Sequence, residues 1–323
     1  MSTNRGRTGI GTNDGSFAPA GTGTGPSAAA RYTANDPAAG RWAPTAREDR
    51  AMLLAEAGFP VHLRGTTEDR EAFARHLASR LPQRSPSEIA ETDRLRTEAG
   101  LPPSDGLPIV VVPPQVTVQE LGGTAEHPGM IAAANGGVLC MDLGDTTASH
   151  QALVDEAKRT GVARPPGETA GLPTQFVLVT GADPCPCKQS PCVCDTTSRD
   201  RWRRKTTPTR TPVRFDMTRV TDRTSPNPSD RAAARRRAAV NRAADSRGVR
   251  QPDMTGEMIR DAGIEPAAQL AVDQIARDAR LTGSQVLGML QVARTLADSR
   301  EGRDHEQVIR AVDVRNAWDA RGA

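Results

Sequence analysis

The sequence predicts an α/β fold with a mainly parallel sheet, followed by an all-helical region. Three observations predict it. Short apolar runs, among them PVHLR ending at Arg64, LPIVVV (107–112), GVLCM (137–141) and QFVLVTGA (175–182), alternate with stretches of helical spacing. Runs of that kind suit strands buried on both faces of a parallel sheet. Beyond about residue 225 the strand signals stop and only helical periodicities remain. Third, apolar residues make up 37% and aromatics only 3% of 323 residues, so a real core is available but must rest on Ala, Leu and Val.

Taken in order, residues 1–46 are rich in Gly, Thr, Ala and Pro without periodicity. Such a segment buries too little apolar surface to offset its ordering entropy and is expected to be a disordered tail. EDRAMLLAEAGF then reads as a helix and PVHLR as a strand; Gly65 follows, with a second helix from near Glu68 that places Phe73, Leu77 and Leu81 on one face. In the later region Ser229 is positioned to cap an Arg- and Ala-rich helix running to about Ser246. Glu265 to Arg280 reads as another helix, and 283–299 spaces Val286, Leu290, Ala293 and Ala297 along one side of the next. Asp304 with Gln307 resembles a capping box opening a last helix that contains Val308, Ala311 and Val312. The domains expected are therefore the tail, an α/β core over 47–225 and a helical region over 226–323.

Charge excludes little. With 42 basic and 39 acidic residues the chain is nearly balanced, so no whole-chain electrostatic case for nucleic acid exists. No apolar stretch approaches the roughly 20 residues needed to span a bilayer, and no signal peptide opens the sequence, so a cytoplasmic, membrane-free protein is expected. Two basic stretches stand out: 230–250, and the patch of Arg201, Arg203, Arg204 and Lys205 around Trp202. Either suits phosphates of DNA, and either also suits a solvated face in an arginine-rich chain.

Four of the five cysteines, Cys185, Cys187, Cys192 and Cys194, fall in CPCKQSPCVC. Four thiolates in one short loop are enough for tetrahedral zinc, and Pro184, Pro186 and Pro191 stiffen the loop before it closes. Structural zinc is the expectation; free thiols, a redox-labile pair and an iron–sulfur cluster are the alternatives. Cys140, inside GVLCM, reads as a small core residue.

Three stretches in order carry a resemblance. PGMIAAANGGVLCMD (128–142), LPTQFVLVTGADPCPC (172–187) and LTGSQVLGMLQVARTLAD (281–298) are similar to PGEISLAHNGVLFLDE, FPARFQLVLAANPCPCG and LSARGYHRVLRVARTIAD of the magnesium-chelatase-like AAA+ family, above all its competence-associated bacterial branch. The similarity covers roughly 47–318, and no counterpart of that branch's Lon-like domain is expected. The resemblance implies a P-loop-type nucleotide-binding core and a helical lid, with ATP and magnesium as family cofactors. It also implies a cysteine-bearing loop at the place where this one stands.

The residues that would do the chemistry are largely replaced. A P-loop needs glycines, a lysine for the β/γ-phosphates and a hydroxyl for magnesium. In the matching GTTEDREA (65–72), Gly65 fits the first glycine, but Glu68 and Arg70 stand at other glycines, Glu71 at the lysine and Ala72 at the hydroxyl. Asp142 matches the Walker B aspartate, whereas Leu143 replaces the glutamate that orients water, and Asp145 lies two residues beyond. Asp183 stands where the sensor asparagine would be and Ser284 where the second sensor's arginine would be. Arg214 in PVRFDM matches the arginine that reaches a neighbouring subunit's nucleotide; an ordinary ion-pair arginine is the alternative. The expectation is a non-hydrolysing scaffold or assembly partner, in a homo-oligomer or beside an active AAA+ paralogue. Two alternatives stay open: a weakly ATP-binding DNA-remodelling motor, and a zinc-stabilised module that binds DNA or protein.

Overall fold

The structure is a computed structural model and describes residues 45–82, 84–104, 109–189, 192–208, 213–216, 230–300 and 307–321. The tail expected over 1–46 falls outside these residues except at its end, where Thr45 and Ala46 already belong to a capped helix. The expected Ser229 cap and Asp304 also lie outside them.

Helix α1 (Ala46–Glu56) opens on a Thr45/Glu48 capping box and leads to β1 (Val61–Arg64). There follow α2 (Thr67–Arg80), α3 (Pro86–Glu98), β2 (Ile109–Val111), α4 (Val118–Gly122), α5 (Met130–Ala133) and β3 (Val138–Asp142). Next come α6 (Ala148–Thr160), β4 (Val162–Ala163), β5 (Leu172–Pro173), β6 (Val177–Ala182), α7 (Thr196–Thr206) and β7 (Val213–Asp216). The rest is helical: α8 (Asp230–Arg247), α9 (Gly256–Asp261), α10 (Pro266–Asp278), α11 (Gly283–Asp298) and α12 (Ala311–Ala320). This is the α/β class expected, a parallel sheet followed by helices.

Five strands pair in the order β2-β3-β6-β1-β7, each neighbouring pair parallel. The first strand thus lies inside the sheet, between the sixth and seventh. In open sheets of this kind ligands bind outside the carboxyl ends of the strands, where the connections diverge. Here the carboxyl ends of β1, β3 and β6 bring Gly65, Asp142 and Asp183 to one place.

Side-chain alternation splits the interior in two. Val61, Leu63, Val138, Cys140, Val179 and Val213 face one cluster, which continues without a break into Met52, Phe59, Phe73 and Leu77 and then into Val240, Met254, Ile259, Val292 and Val314 of the C-terminal helices. Leu139, Met141 and Leu178 face the second, with Ile131, Val154 and Phe176.

The last helix begins later than its spacing suggested. Ile309 is drawn into a bridge with Ile264, the Ile309 N–H donating to Gly263 and the Glu265 N–H donating to the Ile309 carbonyl. Extended backbone there delays the helix to Ala311, capped by Arg310 and Asp313. Val308 and Val312 are correspondingly exposed rather than buried. The strand β7 and helices α3, α6 and α7 were not among the elements assigned from periodicity.

Candidate functional site: strand ends bridged by an arginine

The turn after β1 is short because its own side chains start the helix early. Thr66 caps α2, its hydroxyl accepting the Asp69 N–H at 3.2 Å and donating to the Asp69 carboxylate at 2.8 Å. Only Gly65 and Thr66 separate strand from helix. Residues 67–72, which the motif match placed in a phosphate loop, are helical instead. The Gly65 N–H donates to the Ala182 carbonyl at 3.2 Å and the Arg70 N–H to the Thr66 carbonyl at 3.1 Å. Three amides of the turn, those of Gly65, Asp69 and Arg70, are therefore used within the protein.

Arg70 occupies the middle of the site. Its side chain, 4% exposed, donates to the Gly65 carbonyl at 2.5 Å, to Thr67 Oγ1 at 3.2 Å and to Asp142 Oδ2 at 2.5 Å. Asp183 Oδ1 lies 3.6 Å from the same guanidinium. The sequence comparison treated Arg70 only as a lost glycine; in the fold it is the cation between two carboxylates. Gly181 makes the path possible, since a Cβ there would overlap the Arg70 Cδ. Glycine in a strand interior commonly marks such a close approach.

Charge around the guanidinium is tightly arranged. Burial raises the Asp142 pKa, while Arg70 and the Gly144 N–H, 2.7 Å from Asp142 Oδ1, oppose the shift. Asp145 and Asp183 add to the rise through like charge. Lys188 supplies a second cation, 3.5 Å from Asp183 and 3.7 Å from Asp145. Leu143 points away, buried in the second apolar cluster. Ser284, on the first turn of α11, is exposed and close to Thr282 Oγ1 rather than to this site.

The site thus gathers Gly65, Asp142 and Asp183 around Arg70. Glu71, one residue on, is partly buried. Arg214 is elsewhere: it pairs in register with His62, on the sheet face opposite Leu63 and Gly181. Desolvation, with Arg321 and Arg64 nearby, lowers its pKa. His62 itself is buried, its Nδ1 3.1 Å from Thr180 Oγ1, and burial beside Arg64 and Arg214 pushes its pKa down to about 3.

The cysteine loop begins two residues after Asp183. All four sulfurs of Cys185, Cys187, Cys192 and Cys194 lie within 4.8 Å of one another, with Cys185 and Cys187 3.1 Å apart and Cys187 and Cys192 3.8 Å apart. Tetrahedral zinc with bonds of about 2.3 Å separates its sulfurs by about 3.8 Å, so the donor set is suited to a metal such as zinc. Cys187 carries the thiolate character a ligand requires: hydrogen bonds from the Cys185 thiol and from the Gln189 and Val193 amides bring its pKa down to about 6. Cys140, by contrast, is fully buried in the core, and burial pushes its thiol up to about 12. The loop is fastened to the arginine-filled site from both sides. Lys188 reaches Asp183 and Asp145, and Trp202 of α7 donates its indole N–H to the Asp183 carbonyl at 2.8 Å while its ring fills the space beside Gly144.

No protein-family model matches the chain, and no curated protein matches it. Among solved structures, the crystal structure of a full-length MCM homolog from Methanopyrus kandleri is similar at a TM-score of 0.46 and 14% identity, over 86% of this chain. The match covers 55% of that protein's own length. Among the described residues, no helix is long and apolar enough to cross a membrane.

Proposed function

We propose that this chain is a degenerate magnesium-chelatase-like AAA+ module that keeps its core closed without nucleotide and serves as a scaffold or assembly partner. The observation that carries the reading is the Arg70 guanidinium held between Asp142 and Asp183. A nucleotide-binding loop of this type needs an external cation, magnesium, beside the Walker B aspartate. Here an internal cation supplies that charge and its stem fills the space. Phosphoryl transfer depends on positioning and charge stabilisation, and Leu143, Glu71, Ala72 and Ser284 offer neither. The core over 47–225 and the helices over 226–323 form one body in this reading, with zinc on the four cysteines. Its assembly would be a homo-oligomer or a complex with an active AAA+ paralogue, to which Arg214 would contribute.

Calorimetric titration of the zinc-loaded protein with magnesium-ATP and with a non-hydrolysable analogue tests this. No heat and no thermal stabilisation are expected at millimolar nucleotide. Micromolar binding by the unmodified chain would overturn the proposal.

A further inference from the structure

The two arginine-rich helices use their guanidinium groups in opposite ways. In α8, the longer run, three are consumed inside the protein: Arg236 pairs with Asp49, Arg237 lies 3.5 Å from Glu56 and also donates to the Arg80 carbonyl, and Arg247 is 2.5 Å from Asp298. That helix is fastened to α1 and α11 by its charges. In α7, Arg199, Arg201, Arg203, Arg204 and Lys205 are all exposed, and the acidic residues of the helix and its cap are Asp200 and Asp195. Arg203 and Arg204 form no ion pair among the described residues.

The inward side of α7 is what fixes it. Trp202 is bound to the Asp183 carbonyl and packed on Gly144, Thr206 is buried, and Lys205 donates to the Gly144 carbonyl at 3.2 Å. The cysteine loop ends one residue before its Asp195 cap. A rigidly mounted helix therefore presents an arc of cations to solvent. Arg199 and Arg203 stand one turn, about 6 Å, apart on one flank, and Arg201 and Arg204 lie on the other.

We propose that α7 is a docking surface for the phosphodiester backbone of duplex DNA. Arginine forks match phosphate oxygens, and Arg203 and Arg204, on a fixed helix and in no ion pair among the described residues, give up none when they turn to a ligand. The one aromatic residue of the helix faces inward, so the surface has no stacking platform for the unpaired bases of a single strand. The major groove of B-form DNA admits a helix, whereas that of an RNA duplex is too deep and narrow. Recognition through phosphates is independent of sequence and strongly dependent on salt. Trp202 turns the inward side of α7 to the arginine-filled site and the arginines lie on its other flanks, so the test of this surface does not depend on whether nucleotide binds.

The experiment is fluorescence polarisation of the zinc-loaded full chain with a labelled duplex of about 20 base pairs, between about 50 and 200 mM salt. Binding is expected to fall with salt at a log–log slope of about −3 to −4 and to be unchanged by ATP. Arg201→Glu/Arg203→Glu/Arg204→Glu is expected to weaken binding more than tenfold and to flatten the slope by about one per arginine removed. Arg242→Glu, on the exposed side of α8, should bind as the parent does. Arg203→Gln/Arg204→Gln, a milder pair, reads the same loss if the triple variant fails to fold. Unchanged affinity in the variants, an equal loss with Arg242→Glu, or tighter binding to single strands or duplex RNA would each overturn the proposal.

Discussion

Replacing Arg70 with Met keeps most of the stem against Gly181 but removes the guanidinium. The change strands Asp142 and Asp183, whose side chains are 18% and 8% exposed, beside one another. Breaking a buried pair from one side costs about 3–5 kcal/mol, mostly for the charge left behind. The lower end applies, because Asp142 keeps some water and Lys188 still faces Asp183, so a loss of about 3 kcal/mol is expected. Burial already holds the Asp142 pKa above its ordinary value. A pKa raised in the folded state means that the native protein binds the proton more tightly than the unfolded chain. The resulting cost grows as pH rises through the raised value and is relieved as pH falls. Arg70 is the foremost influence opposing that rise, so its removal raises the pKa further. Urea unfolding should therefore show the deficit of Arg70→Met shrinking as pH falls from neutrality toward the ordinary carboxylate range. Adding Asp142→Asn and Asp183→Asn should recover most of it. A deficit below about 1 kcal/mol, or one that the two asparagines leave intact, would refute the reasoning that the arginine compensates these carboxylates.

Three further outcomes are expected. Gly181→Ala forces a methyl onto the Arg70 stem and should cost about 1–3 kcal/mol by denaturant unfolding, with most of the loss absent when residue 70 is Ala. His62, with its pKa pushed down to about 3, stays neutral in the fold while the unfolded chain takes up a proton below about pH 6.5. The stability it contributes is therefore present above that pH and lost as pH falls, by about 2 kcal/mol between pH 7 and pH 5, and His62→Gln should remove this acid sensitivity in the same unfolding measurements. Finally, purified protein should carry one zinc per chain by metal analysis. Chelation should alter Trp202 fluorescence, and Cys187→Ser should abolish both effects.

The sheet was legible because its strands are buried on both faces, which writes them as unbroken apolar runs such as GVLCM and QFVLV. The cysteine cluster was legible because four thiols within ten residues need no long-range information to come together. The two-stranded β4–β5 pair and the start of α12 were not, since a bridge between Ile264 and Ile309 depends on residues far apart in the chain. Arg70 was the largest omission. Motif matching scores position 70 for the glycine it lacks, not for where a long side chain goes once α2 starts at Thr67. One signal did exist: a carboxylate at position 183 beside Asp142 doubles the negative charge at the strand ends, and buried carboxylates in such number require a cation. Glycine at 181, two residues before Asp183 on a strand, marked where its stem would pass.

The unbroken apolar cluster that joins sheet and C-terminal helices bears on how the chain can be divided. Cutting near residue 225 would not release two modules but would bare Met52, Phe59, Phe73 and Val213 on one piece and Met254, Ile259 and Val292 on the other. Fragments of that kind are sticky, and each would lose much of its stabilising interior. The region from α1 to α12 shares one apolar interior, so a deletion that spares the cysteine loop and α7 is expected to need the last helix as well, a point that denaturant unfolding of the shortened chain would check.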